Sequence, residues 1–261
     1  MAGKAKTRLP APFLKRLCWR DPAALRPAEY PFTLPWLRDA DWELNFTTPI
    51  TVFVGENGCG KSTLIEAIAA IAGYDEAGGG KGYMPVDHRR ARDGSGSALG
   101  DHWRASWLPR VTDGWFFRAE SFYSVARYLD EVDSPTADYL SLSHGEGFLS
   151  FFAERFSRQG LYLLDEPESA LSPARQLDLL ALLSKIQETA VSQVIMATHS
   201  PFLMAIPGAR LLQMTRLGIE DIDYRQTRHF RLYRKFASDP QGFIADALAE
   251  CQSDRCPIIC P

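Results

Sequence analysis

The chain lacks a long apolar run. None of its 261 residues fall in a stretch approaching the roughly 18 apolar positions a membrane-spanning helix needs, so no transmembrane segment of its own is expected. It also lacks a charge bias. Its 29 Lys and Arg against 32 Asp and Glu leave a formal net charge of −3, which excludes a bulk pull toward nucleic acid and confines any such contact to a local patch. Cysteine is scarce: the five present show no zinc-like pairing, and Cys251, Cys256 and Cys260 fall in a tail with no suitably spaced fourth ligand. An odd count without a secretion signal points to a reducing cytoplasm. Sustained heptads are missing too, which excludes a long coiled-coil arm. Met1 to Arg20 carries six basic residues and no acid but no apolar core. It reads as a solvated, poorly ordered arm and not as a signal peptide.

What remains is an ordinary globular balance, 46% hydrophobic and 23% charged, at a length that suits one α/β domain with a small subdomain. Its most informative stretch is Gly55-Glu56-Asn57-Gly58-Cys59-Gly60-Lys61-Ser62-Thr63. The β-rich run Ile50 to Val54 precedes it and a helical run continues from it to Ala72. Strand, glycine loop and helix in that order form a phosphate-binding P-loop. The glycines allow consecutive backbone N–H groups to turn inward as an anion nest, and the helix directs its positive dipole end at the same point. Lys61 then reaches the β- and γ-phosphates of a nucleoside triphosphate, and Ser62 holds Mg²⁺. Cys59 lies beside Lys61 and the helix start, a setting that lowers a thiol pKa; the alternative is a cysteine tolerated at a permissive position.

Along the chain, Phe32, Leu34, Trp36 and Leu37, then Trp42, Leu44 and Phe46, alternate in places as half-buried strands do. Tyr74 to Gly114 is glycine-rich, with six Lys/Arg and six Asp/Glu that cancel, and reads as an insertion or mobile loop. Trp115 to Arg118 reads as a strand, and Ser143 to Phe156 as a helix with Phe148, Leu149, Phe151, Phe152 and Phe156 near one face. Leu161 to Leu164 and Gln193 to Ala197 suit buried parallel strands. Ser172-Pro173 and Ser200-Pro201 each give an N-cap with proline at the first helical position. The helix after Ser172 is expected to turn Leu177, Leu180, Leu183 and Ile186 inward. Two short strands and a helical end, Arg228 to Ala249, follow. Strands alternating with helices imply a mostly parallel sheet covered on both faces.

Asp165 ends one of those strands, where the Mg²⁺ partner of a P-loop belongs. Glu166 follows as a candidate general base. His199 comes just past the next strand, within reach of a γ-phosphate. Ser143-His144-Gly145-Glu146 opens a helix whose hydroxyl, glycine and dipole favour an anion.

The order of P-loop, Leu142 to Glu146, Leu163-Leu164-Asp165-Glu166-Pro167, Ser169 to Ser172 and Thr198-His199-Ser200 resembles the ABC-type ATPase superfamily. Within it the chain is most similar to stand-alone AAA family ATPases of the SMC, RecF and OLD-type branch. The resemblance covers roughly residues 32–249. It implies an ABC-type P-loop fold, with a mostly parallel sheet flanked by helices, an antiparallel β part and a small helical subdomain. It implies ATP hydrolysis with Mg²⁺ in a homodimer closed on ATP, in which Ser143 and the backbone of Gly145 contact the γ-phosphate held by the opposing copy. The domain so implied spans residues 31–250, with the Gly-rich insertion at about 74–114 and the helical signature region at about 121–158. Residues 1–30 form the arm and 251–261 the tail.

Two departures from the family text stand out. Ser172 occupies a position where aspartate is common. No glutamine lies between Thr63 and the signature, which makes Glu120, at the end of the next strand, the positional candidate for the metal and water contact. The resemblance suggests work in DNA maintenance or phage defence with DNA, a nuclease or another effector as partner. A nucleotide-binding subunit of a membrane transporter and a nucleotide-gated module that recruits an effector are the alternatives. The basic run Arg225, Arg228, Arg231, Arg234 and Lys235 fits phosphate contact or a solvated helix face.

Overall fold

The computed structural model describes residues 9–23, 28–75, 78–81, 95–118 and 144–252. Two sheets carry the first of two compact units, Met1–Asp221. The smaller sheet has the order β2-β1-β4, formed by β1 (Leu14–Trp19), β2 (Glu43–Asn45) and β4 (Trp103–Trp107), all antiparallel. The presumption of a solvated arm up to Arg20 is therefore corrected. Leu14, Leu17 and Trp19 alternate inward, and burying them outweighs the charge of the lysine and arginine between them.

The larger sheet has six strands in the order β5-β6-β7-β3-β8-β9. They are β3 (Ile50–Val54), β5 (Gly114–Arg118), β6 (Leu161–Asp165), β7 (Gln193–Ala197), β8 (Arg210–Met214) and β9 (Ile219–Asp221). All neighbours pair in parallel except β8 with β9. Every residue of β3, β6 and β7 is buried, as strands covered on both faces require. At the start of β5, Gly114 has φ 140°, and a Cβ there would lie 1.9 Å from the Leu161 carbonyl oxygen. Only glycine lets β5 begin this close to β6.

Helix α1 (Lys61–Ala72) follows β3 and packs on α2 (Ser95–Asp101) and on β6 and β7. Helix and strand thus occupy part of the stretch expected to be a loop. Gly96 and Gly100 are the cause: their missing side chains let α2 lie directly against Glu66, Ala67 and Ile71 of α1. The alternation expected from Phe32 onward reduces to β2 alone. Pro35–Leu37 is a 3-10 turn with Pro35 at its first position, a residue that cannot donate to a ladder. Its aromatics are still buried: Trp42 stacks on Trp103 with centroids 4.8 Å apart, and Trp19 and Trp36 pack around that pair.

Helix α3 (His144–Arg155) places Phe148, Leu149, Phe151 and Phe152 in the core, and Phe117 of β5 meets Phe148 edge-on at 4.4 Å. Helix α4 (Pro173–Thr189) buries Leu179, Leu183 and Ile186, an i, i+4, i+7 stripe. Leu177, expected inward, lies on the opposite side and is exposed. The short α5 (Pro201–Met204) follows β7.

The second unit, Ile222–Pro261, starts inside the range expected for a single ATPase domain. It contains α6 (Arg228–Ser238), capped by Thr227, and α7 (Pro240–Gln252). The expected helical end is two helices, because Asp239 leaves helical geometry before Pro240. Arg225, Arg228, Arg231, Arg234 and Lys235 are all exposed.

Candidate functional site

One row of paired residues crosses the sheet where its parallel strands end. Arg118 pairs with Asp165, Asp165 with Ala197, and Ala197 with Phe53. Ligands of open parallel sheets bind beyond such carboxyl ends. The P-loop leaves β3 here, Glu166 leaves β6 and His199 leaves β7.

The P-loop is fixed from outside. Gly60, the N-cap of α1, has φ 94°, and a Cβ there would meet Leu34 at 2.9 Å and the Trp36 indole nitrogen at 3.0 Å. Trp36 Nε1 donates to the Cys59 carbonyl at 2.9 Å. The Tyr30 phenol and the Thr63 hydroxyl share a short hydrogen bond. Lys61 is 5% exposed and donates from Nζ to the carbonyls of Gly55 at 3.0 Å and Glu56 at 3.2 Å. Its ammonium is thus folded over the loop that would cradle phosphate. Burial pushes the Cys59 thiol up, and the opposing pull of Lys61 is the smaller effect, which favours a cysteine tolerated at a permissive position.

Ser62 Oγ donates to Asp165 Oδ1 at 3.1 Å. Burial pushes the Asp165 carboxyl up to about 6, against the pull of the Arg118 guanidinium and the Ser62 hydroxyl. Arg118 Nη1 lies 2.7 Å from Glu66 Oε1 and its Nε 3.8 Å from Asp165 Oδ2, so this arginine ties β5 to both α1 and β6. Ser62 and Asp165 are hard oxygen donors of the kind Mg²⁺ takes together with phosphate and water oxygens. Among the described residues, no group of three or more His, Cys, Asp and Glu could hold a metal ion by itself.

Glu166 is held in the left-handed region, φ 47° and ψ 54°, which costs a non-glycine residue about 1–2 kcal/mol. Its N–H donates to the Ala197 carbonyl at 3.0 Å, and its own carbonyl accepts from the Ser169 hydroxyl at 2.6 Å. These bonds fix the peptide on both sides. Glu166 Oε1 then stands 3.6 Å from His199 Nε2. Ser172 caps α4 by accepting from Arg175 N at 3.4 Å, and Ser200 caps α5 by accepting from Leu203 N at 3.3 Å.

The structure therefore gathers Lys61, Ser62, Asp165, Glu166 and His199 at neighbouring strand ends, with Gly55 to Thr63 as the loop. Gly145 lies in the first turn of α3. Ser143 and Glu120 lie outside the described residues. Asp221 is engaged elsewhere: Arg210 holds it in a fork of 2.6 and 2.7 Å, which keeps its carboxyl below the usual range.

Sequence reasoning missed Arg118, Trp36, Tyr30 and Glu168. For Arg118 a signal existed, since it ends a buried strand adjacent to the one ending in Asp165. Glu168 has one only in retrospect, as an acid in the turn after Pro167.

Residues 34–94 match a family model described as "AAA domain", and residues 138–205 one described as "AAA domain, putative AbiEii toxin, Type IV TA system". The chain is 28% identical over 207 residues to the molybdate import ATP-binding protein MolC of Haemophilus influenzae, covering 72% of this chain and 76% of that protein. The SMC head domain from Thermotoga maritima superposes with a TM-score of 0.44 at 14% identity, covering 81% of this chain and 99% of that one. A dimeric bacterial ABC transporter cassette gives 0.39 at 15% identity, covering 72% and 90%.

Proposed function

We propose, from the premise that this chain is an ABC-type AAA ATPase resembling the SMC and RecF branch, that two copies close over ATP and hydrolyse it between them. Hydrolysis of ATP by a P-loop NTPase is the family's activity; the division of labour between copies is our reading. The observation that carries it is the row of strand ends. On a single chain it sets the P-loop, Asp165, Glu166 and His199 just past adjacent parallel strand ends, and in this reading the second copy supplies the helix that carries Gly145 in its first turn.

In this reading the backbone of Gly55 to Thr63 and Lys61 cradle the phosphates. Lys61 exchanges its loop carbonyls for phosphate oxygens, which provides charge where the transition state gains it. Ser62 and Asp165 are the residues that would hold Mg²⁺, which when bound neutralises the phosphate oxygens. Glu166 draws the proton from the attacking water, and His199 faces the γ-phosphate. Ser143 and the Gly145 N–H of the second copy complete the phosphate's surroundings at a helix N-terminus. Loss of the γ-phosphate removes those contacts and loosens the dimer.

The process served is DNA maintenance or phage defence in the cytoplasm, with a nuclease or other effector as partner. The AbiEii-type match over residues 138–205 favours the defence side. A nucleotide-binding subunit for a separate membrane permease is the second reading, favoured by the similarity to MolC. Among the described residues no helix is long and apolar enough to cross a membrane.

Glu166→Gln should accumulate an ATP-bound dimer, read by sedimentation with saturating ATP. A variant that remains monomeric there refutes the two-copy site. ATPase rates with and without duplex DNA at two salt concentrations, beside copurification with membranes, separate the two readings of process.

A further inference from the structure

The loop after Glu166 is joined to the segment carrying His199 by two polar bridges that P-loop chemistry does not require. In the first, the Glu168 carboxylate accepts from the Thr198 hydroxyl through Oε2 at 2.7 Å and from the His199 N–H through Oε1. Thr198 is fully buried, and its oxygen also accepts from Ser200 N at 3.0 Å. In the second, Gln176 of α4 donates to the Leu171 carbonyl at 3.2 Å and accepts from the Ser200 hydroxyl at 2.6 Å. The Glu168 carbonyl also accepts from Leu171 N at 3.0 Å. With the Glu166 N–H on the Ala197 carbonyl, residues 166–171 and 197–200 are cross-linked by main-chain and side-chain hydrogen bonds.

We propose that Glu168 is a positioning residue that sets His199 over Glu166, so that turnover depends on the hold of its carboxylate on the Thr198–His199 segment. This rests on the reading above of Glu166 and His199 as the groups that act on the attacking water and the γ-phosphate. The argument is geometric. Both carboxylate oxygens are spent on the His199 segment, one on a main-chain N–H, so a displacement of the loop at Glu168 moves the imidazole relative to the Glu166 carboxylate 3.6 Å away. A charge-assisted pair of bonds resists such movement better than a neutral one. None of these bonds falls on residues 55–63, so the hold on ATP is left mainly to the P-loop.

The experiment compares wild type, Glu168→Ala, Glu168→Gln and Thr198→Val in full-length protein, measuring kcat, KM and ATP-driven dimerisation. Glu168→Ala should lower kcat about 10- to 100-fold with KM within about twofold, the pattern of misplaced catalytic groups. Glu168→Gln keeps one acceptor and should recover part of the loss. Thr198→Val should lower kcat less, and the double variant should fall no further than Glu168→Ala alone, because both remove the same bridge. Wild-type kcat in Glu168→Ala, or additive losses in the double variant, overturns the proposal. Equal kcat in the alanine and glutamine variants also overturns it. A wild type that stays monomeric with ATP sinks the two-copy reading instead, while the kcat series still decides whether Glu168 positions His199.

Discussion

On the β3–α1 side of the sheet the loop is held mainly by apolar burial, braced by the Trp36 N–H; on the β6–β7 side Glu166 and His199, the proposed catalytic groups, are held by polar side chains and a strained peptide. The P-loop leaves a strand buried along its whole length and enters a helix whose Leu64, Ile65 and Ile68 are inaccessible. Leu34 and Trp36 close over Gly60. Across the crevice, a mostly buried carboxylate at Asp165 faces Arg118, and Glu166 sits at positive φ. The first side is an arrangement that folding itself favours. The second contains groups that folding tolerates. The proposed binding loop and the proposed catalytic groups are thus held by different means, and the same kind of substitution should shift stability in opposite directions on the two sides.

The largest expected effect is at Asp165. A carboxyl carried from 3.8 in the unfolded chain to about 6 in the fold binds its proton more tightly when folded. The associated stability is present below 3.8 and is lost as pH rises through about 6. The deficit fully developed at neutral pH is about 3 kcal/mol. Asp165→Asn should therefore raise the unfolding free energy of the nucleotide-free protein at pH 7.5 by up to that amount. The gain should shrink as urea titrations are moved toward pH 4. A gain that does not change with pH would mean that burial of the charge is not the cause. Activity should fall with the loss of an oxygen donor at the proposed metal position.

The opposite sign is expected across the crevice. Trp36→Phe keeps the ring in its cluster and removes the N–H that reaches the Cys59 carbonyl. It should cost about 1–2 kcal/mol, the usual penalty for a lost buried donor, and raise KM for ATP through a looser loop. Calorimetry and steady-state kinetics check both. A Trp36→Phe protein of unchanged stability and KM would remove the external brace from the account of the P-loop.

How much of this could be read from the chain follows the same division. The P-loop, the strand ending at Asp165 and the caps at Ser172 and Ser200 are local: glycine spacing, an apolar run, a serine before a proline. The bridges are not local. Trp36 and Cys59 are 23 residues apart and Glu168 and Thr198 are 30 apart, and no periodicity pairs them. Arg118 looks like a strand end until the register sets it beside Asp165. Leu177 was misjudged because apolar content alone suggested it faced inward, whereas the stripe of Leu179, Leu183 and Ile186 selects a different face. The two readings of Cys59 stay open in the sequence because charge is visible there and burial is not.

The smallest effect sharpens the comparison most. Besides Glu166, the one other non-glycine residue at positive φ among the described residues is Ala190, at φ 50°, where α4 ends. Its N–H donates to the Ile186 carbonyl at 2.8 Å and its carbonyl accepts from Ala11, so it terminates a helix and has no place in the crevice. Glycine at either position removes the left-handed penalty but adds freedom to the unfolded chain, for a net gain of about 1 kcal/mol or less. Ala190→Gly should take that gain with turnover unchanged. Glu166→Gly should take a similar gain and lose hydrolysis, since the carboxylate facing His199 is gone. Matched shifts in melting temperature with divergent turnover would establish that the strain at Glu166 is the cost of placing a carboxylate there. A Glu166→Gly protein less stable than wild type would mean instead that the Glu166 side chain helps to hold the loop, and the contrast between the two sides would weaken accordingly.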